Sequence, residues 1–168
     1  MLIERHFWSV PAATIEAVPD SSLYDHSRAV AVLAAAMYRY HESVGNLEDD
    51  SAVRDRETKK YRLLVGDLSG IQSYLFSISH IGAGGIAKAL RARSLYLGLL
   101  SELSSHLLLE SFGLPFLNQL IVSGGKFYLL LPNLSDAEER IAKVRGEIDH
   151  WTYQNLNAEL SLNLASLP

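Results

Sequence analysis

Cysteine is absent from the 168 residues. That excludes disulfides and thiolate metal sites, and leaves His, Asp, Glu and backbone oxygens as ligands for any metal ion. An excess of positive charge is also missing: 15 Lys and Arg stand against 19 Asp and Glu, a formal net charge of −4. A generally sticky nucleic-acid-binding surface is therefore not expected, although a local basic patch stays open. No apolar run is fit to cross a bilayer, because the richest one, Leu95 to Leu114, is broken by Glu102, His106 and Glu110. Charge at Glu4, Arg5 and His6 precedes any apolar stretch, so the opening does not read as a signal peptide. A cytoplasmic protein with no membrane partner is the expectation. What the chain does have is a 48% hydrophobic composition, enough for a sizeable core in one full domain plus part of another.

The organisation changes along the chain. Pro11 and Pro19 break the opening, and Asp20-Ser21-Ser22 offers caps for a helix over Leu23–Tyr40, with Val30, Leu33, Ala34, Met37 and Tyr38 at helical spacing. One such helix makes no core alone, so residues 1–42 read as the terminal piece of a helical domain. The charged stretch 43–60, with Gly45-Asn46 and Glu48-Asp49-Asp50, reads as a linker or partly disordered loop. From Tyr61 the pattern predicts a strand ending at Gly66-Asp67, a short helix or turn over 71–79, and a helix over 86–111. Leu90, Leu97, Leu100 and Leu107, with Ser94 and Ser104, are its expected sheet-packing face. Strands at Gln119–Ser123 and Lys126–Leu131 flank Gly124-Gly125, a strong hairpin signal. A helix to about Gln154 and an alternating strand over 157–164 complete the pattern. The order β-α-β-β-α-β over 61–168 predicts an α+β class and a ferredoxin-like, split-βαβ domain, with Asp67 close to Gly124-Gly125.

Four groups could carry chemistry. Asp67, Ser69 and Gly70 at a strand end can hold a cation or present a hydroxyl and amides to a phosphate; equally, Asp67 caps the turn and Gly70 permits it. Gly82-Ala83-Gly84-Gly85 opens a helix carrying Lys88, Arg91 and Arg93, which is either an anion or RNA contact or a flexible linker beside solvated cations. It is no P-loop, since the spacing and the Lys-Ser/Thr pair are missing. In the Ser123-Gly124-Gly125-Lys126-Phe127 hairpin, Lys126 and Phe127 stand where a nucleotidyl-transfer palm usually carries metal-binding acids. A lysine neutralises phosphate but does not hold Mg²⁺, and the plainer reading is a Gly-Gly turn. His26, beside Asp25 at the head of the first long helix, is a metal ligand only if partners come from elsewhere; a structural histidine is the alternative.

Taken in order, four segments carry a family resemblance. They are Val10-Pro11 through Pro19-Asp20-Ser-Ser-Leu-Tyr-Asp-His26-Ser-Arg28, Gly66-Asp-Leu-Ser-Gly-Ile-Gln72, Lys88-Ala-Leu-Arg-Ala-Arg-Ser-Leu-Tyr-Leu97, and Ser123-Gly-Gly-Lys-Phe-Tyr-Leu-Leu-Leu-Pro132. The sequence resembles the large subunit of type III-A (Csm-type) CRISPR–Cas effector complexes. The resemblance implies a fragment running from the end of a circularly permuted HD nuclease domain, with His26 as an HD-site histidine, into the first of two palm domains related to GGDEF cyclases. In that family the second palm carries a Gly-Gly-Asp-Asp hairpin and makes cyclic oligoadenylates from ATP. The first palm is catalytically degenerate and binds a second ATP, which maps the contact here onto Asp67, Ser69, Gly70, Gly124, Gly125 and Lys126.

The cofactors so implied are ATP, with Mg or Mn in the full-length protein. The implied partners are the second palm of the same protein, other CRISPR effector subunits and, indirectly, guide and target RNA. The His-Asp dyad and the Gly-Gly-Asp-Asp hairpin are not in this sequence, so neither nuclease activity nor nucleotidyl transfer is expected of this chain alone. Two alternatives stand beside this reading: a docking domain of the complex, or an independent GGDEF-like regulatory domain.

Overall fold

The computed structural model describes residues 2–13, 15, 18–77 and 85–168. A short helix α1 (Leu2–Phe7) precedes α2 (Leu23–Val44), which begins where the Ser22 hydroxyl accepts the Asp25 amide and ends at Gly45 with φ +78°. After α3 (Asp50–Arg54) come β1 (Tyr61–Ser69), α4 (Ile71–Phe76), α5 (Ile86–Ser111), a 3₁₀ turn at Phe116–Asn118, β2 (Gln119–Ser123), β3 (Lys126–Pro132), α6 (Ala137–Leu156) and β4 (Ser161–Leu167).

The four strands form one antiparallel sheet in the order β2-β3-β1-β4, with β1 running between β3 and β4. The period of two decides which side chains go where. Leu64 and Leu68 of β1, Phe127, Leu129 and Leu131 of β3, and Leu162 of β4 face α5 and α6. They meet Leu97, Leu100, Leu108, Leu109, Ile141, Val144 and Ile148 in one buried cluster. Leu120 and Leu130 point the other way and lie against Val32 and Leu33 of α2.

Three polar clasps fasten α2 to the sheet domain. The Asn118 amide donates to the Val32 and Leu130 carbonyls at 3.1 and 3.0 Å, Arg28 donates to the Gln119 carbonyl at 3.1 Å, and Arg39 Nε donates to the Gly113 carbonyl at 2.9 Å. The helix that needed a packing partner thus finds it on the sheet, with Val32 and Ala36 buried.

Three local expectations are corrected. The segment 43–60, expected as a linker or partly disordered loop, contains a short capped helix. Asp49 caps α3, and the buried Lys60 ammonium donates to the carbonyls of Ala52, Val53 and Asp55 at 2.6, 2.9 and 2.6 Å. On α5 the buried face includes Leu97, Leu100 and Ser104 as expected but continues through Leu108 and Leu109, while Leu107 is exposed and Leu90 and Ser94 are not buried. The last strand starts at Ser161, four residues late, because α6 continues to Leu156 and a left-handed pair, Asn157 (φ 49°) and Ala158 (φ 57°), turns the chain before pairing begins.

Candidate functional site

The polar residues singled out in the sequence gather at one end of the β1–β3 pair. The hairpin is a two-residue turn with φ +60° at Gly124 and +91° at Gly125, the left-handed pair that matches strand twist. A Cβ on Gly125 would collide with Ile71 of α4, so the turn packs directly on the helix that β1 leads into. The Leu68 amide donates to the Gly125 carbonyl at 2.9 Å. Gly70 makes the turn out of β1 at φ +88°, with the Glu159 carbonyl where a side chain would start.

On the sheet face away from α5 and α6, Asp67 lies directly opposite Lys126 on one side and Asn163 on the other. Lys126 Nζ is 3.9 Å from Asp67 Oδ1, with both side chains about half exposed. The Asn163 amide donates to Ser69 Oγ at 2.6 Å. The site is therefore an open row of ammonium, carboxylate and amide, with a hydroxyl and a glycine turn beside it.

These groups fit a phosphorylated ligand. Lys126 supplies a cation, Ser69 a hydroxyl, and Gly124 has nothing within 4 Å of the place its Cβ would take. They do not fit a divalent ion, since Asp67 is the one carboxylate in the row and a cation already neighbours it. Among the described residues no group of three or more His, Asp or Glu is placed to hold a metal. His26 is exposed in the first turn of α2.

The basic group separates into two kinds. Arg93 is used structurally: it donates to the Tyr74 carbonyl and, at 3.0 Å, to Ser77 Oγ, and its guanidinium lies 5.1 Å from the Tyr74 ring centre. Burial pushes the Tyr74 phenol upward, with Arg93 acting in the opposite direction. Lys88 and Arg91 are exposed on the first turns of α5. Gly82 and Gly84 lie outside the described residues, and Gly85 is the α5 N-cap.

Sequence reasoning missed Asn163. The alternation of β4 was visible, but nothing local indicates that this asparagine meets a serine 94 positions earlier.

This geometry defines a class: an α+β domain whose four-stranded sheet is covered by α5 and α6 on one face and carries, on the face that α2 partly covers, a polar, glycine-edged site. The comparisons place it more narrowly. Residues 60–168 match the family described as Csm1 subunit domain B. The chain is 34% identical over 173 residues to the Mycobacterium tuberculosis CRISPR system single-strand-specific deoxyribonuclease Cas10/Csm1 (subtype III-A), covering 99% of this chain and 21% of that protein. It is 36% identical to the Streptococcus thermophilus protein of the same description, over 95% of this chain and 21% of that one.

Among solved structures, a Csm1–Csm4 cassette in complex with pppApA superposes with a TM-score of 0.82 at 30% identity, over 99% of this chain and 22% of the other. A cassette with AMPPNP gives 0.81 at 29%, with the same coverage. The chain belongs to the Csm1 family, the large subunit of subtype III-A CRISPR effectors, and spans about a fifth of the length of the relatives it matches.

Proposed function

We propose that the chain is the non-catalytic, nucleotide-binding half of a paired ATP site in a Csm1-type large subunit, built on a ferredoxin-like palm. The observation that carries this reading is the Lys126–Asp67 juxtaposition: a cation stands at the hairpin edge, beside Ser69 and the Gly124-Gly125 turn. A site made this way attracts phosphate without organising metal, so it contributes binding and leaves catalysis to a second, acid-bearing palm. The AMPPNP and pppApA bound by similar cassettes support a nucleotide ligand.

In the same proposal α2 is the last helix of a permuted HD domain, with His26 its contribution to a metal site completed elsewhere. The full-length protein is a single-strand-specific deoxyribonuclease and cyclic oligoadenylate synthase needing Mg or Mn. It works beside a Csm4-type subunit and other effector subunits, and meets guide and target RNA through the assembly.

Calorimetric titration of the full-length protein with AMPPNP tests the reading. Ser69→Ala is expected to weaken binding ~10-fold, and Lys126→Ala, which removes the cation, several-fold. Unchanged affinity would favour the second reading, in which the open sheet face is a docking surface. That alternative has its own support in Leu63, Ile121 and Leu167, which are 40%, 58% and 74% exposed.

A further inference from the structure

Resting on the nucleotide-binding reading above, we infer that Asn163 is a positioning residue that makes the Ser69 hydroxyl an outward-facing donor to an acceptor atom of the bound nucleotide. A serine hydroxyl has one proton and two lone pairs. Asn163 Nδ2 donates to Ser69 Oγ at 2.6 Å and so engages a lone pair. With the amide nitrogen turned toward Ser69, the hydroxyl proton points elsewhere, and among the described residues nothing accepts it.

The surroundings hold this arrangement in place. Ser69 is opposite Ser161 and Asn163 is opposite Asp67, so the bond crosses the β1–β4 pair diagonally, within reach of an amide. The backbone after Ser69 has little freedom, because Gly70 adopts φ +88° against the Glu159 carbonyl that leads into β4. The residue type matters as well. An aspartate at position 163 would accept the serine proton, reverse the polarity of the hydroxyl and set a second carboxylate beside Asp67. An asparagine directs the proton outward and adds no charge to the Asp67–Lys126 pair.

The test is AMPPNP titration of the full-length protein and its variants, with thermal unfolding of each. Ser69→Ala is expected to weaken binding ~10-fold, the order of one lost hydrogen bond to a charged ligand. Asn163→Asp should cost at least as much. Asn163→Ala, which frees the hydroxyl to rotate, should cost ~3-fold, and the Ser69→Ala/Asn163→Ala double variant should bind no worse than Ser69→Ala. Ala165→Asp, two residues along the same face of β4, controls for added charge and should stay within ~2-fold.

If Ser69→Ala weakens binding but both Asn163 variants bind like the parent, the inference is wrong. It is equally wrong if the two alanine effects multiply, or if the Asn163 variants lose thermal stability in step with affinity. If Ser69→Ala itself leaves affinity unchanged, the nucleotide reading of the site fails first and the inference goes with it.

Discussion

Gly66 lies directly opposite Phe127 in the β1–β3 pair, and the phenyl ring fills the space a Cβ on Gly66 would need. The ring is fully buried at the centre of the core. The glycine next to Asp67 is thus an adaptation to packing on one sheet face, while Asp67 serves the other.

Gly66→Ala is therefore expected to destabilise the protein by ~1–3 kcal/mol through overpacking. Phe127→Leu in the same chain should recover part of the loss, although it is destabilising alone. Denaturant unfolding of the single and double variants reads the coupling. Additive effects would show that the two positions do not compete for one space.

The two hairpin glycines should respond differently. Gly124 has a positive φ but open surroundings, so Gly124→Asn is expected to be neutral to within ~0.5 kcal/mol, since asparagine tolerates that conformation. Gly125→Ala combines a φ of +91° with a collision against Ile71 and should cost ~1–3 kcal/mol. Thermal unfolding of the two variants checks the contrast.

Lys60 holds the segment before the sheet by three hydrogen bonds to carbonyls at and beyond the end of α3. Lys60→Met keeps the apolar stem, removes the donors and leaves those carbonyls short of partners, at a cost of ~1–3 kcal/mol. Amide exchange over residues 50–59 should accelerate while β1 and β3 stay protected. Equal acceleration everywhere would mean that the lysine supports the whole fold rather than this segment.

The same segment should be acid-sensitive. Hydrogen bonds from the Ser51 hydroxyl and the Ala52 amide hold the Asp49 carboxyl below its ordinary value. The Thr58 hydroxyl and the Glu57 amide do the same for Asp55. A folded pKa below the unfolded one gives stabilisation that is present above the ordinary aspartate value of about 3.9 and lost as pH falls through the folded value. Local protection of 50–58 is expected to fall below about pH 4. Asp49→Asn and Asp55→Asn together should flatten that dependence. An unchanged acid profile in the double variant would assign the loss to other carboxylates.

Much of the fold was legible because its signals are local. Gly124-Gly125 between two apolar runs predicts a two-residue hairpin, and the structure places left-handed residues at both positions. Ser22 starts α2 by capping chemistry readable from the chain, whereas the helix runs to Val44, four residues beyond the expected Tyr40, before Gly45 ends it. The misplaced start of β4 has a different origin: Asn157 and Ala158 continue the polar–apolar alternation of a strand, yet both adopt a left-handed turn that ends α6. Periodicity does not distinguish those conformations, and the outcome depends on how far α6 packs along α5 and the sheet. The α5 register slipped for a similar reason. Leucines lie on several sides of that helix, so spacing alone does not select the face that meets β3.

By itself the sequence determined the order of the elements from Tyr61 onward, the hairpin and the presence of Asp67, Ser69, Gly70 and Lys126 at strand ends. Each follows from residue chemistry acting over a few positions. It also determined, through Lys126, that no acid stands at the hairpin edge.

The expected closeness of Asp67 to the hairpin is met by its pairing with Lys126, but only the tertiary structure decided the register and brought Asn163 to Ser69, 94 positions away, to complete the row. It alone separated Arg93, spent on Tyr74 and Ser77, from the exposed Lys88 and Arg91. A side chain's partners are set by which surfaces the whole chain buries, and that is a property of the packed domain rather than of any window of sequence.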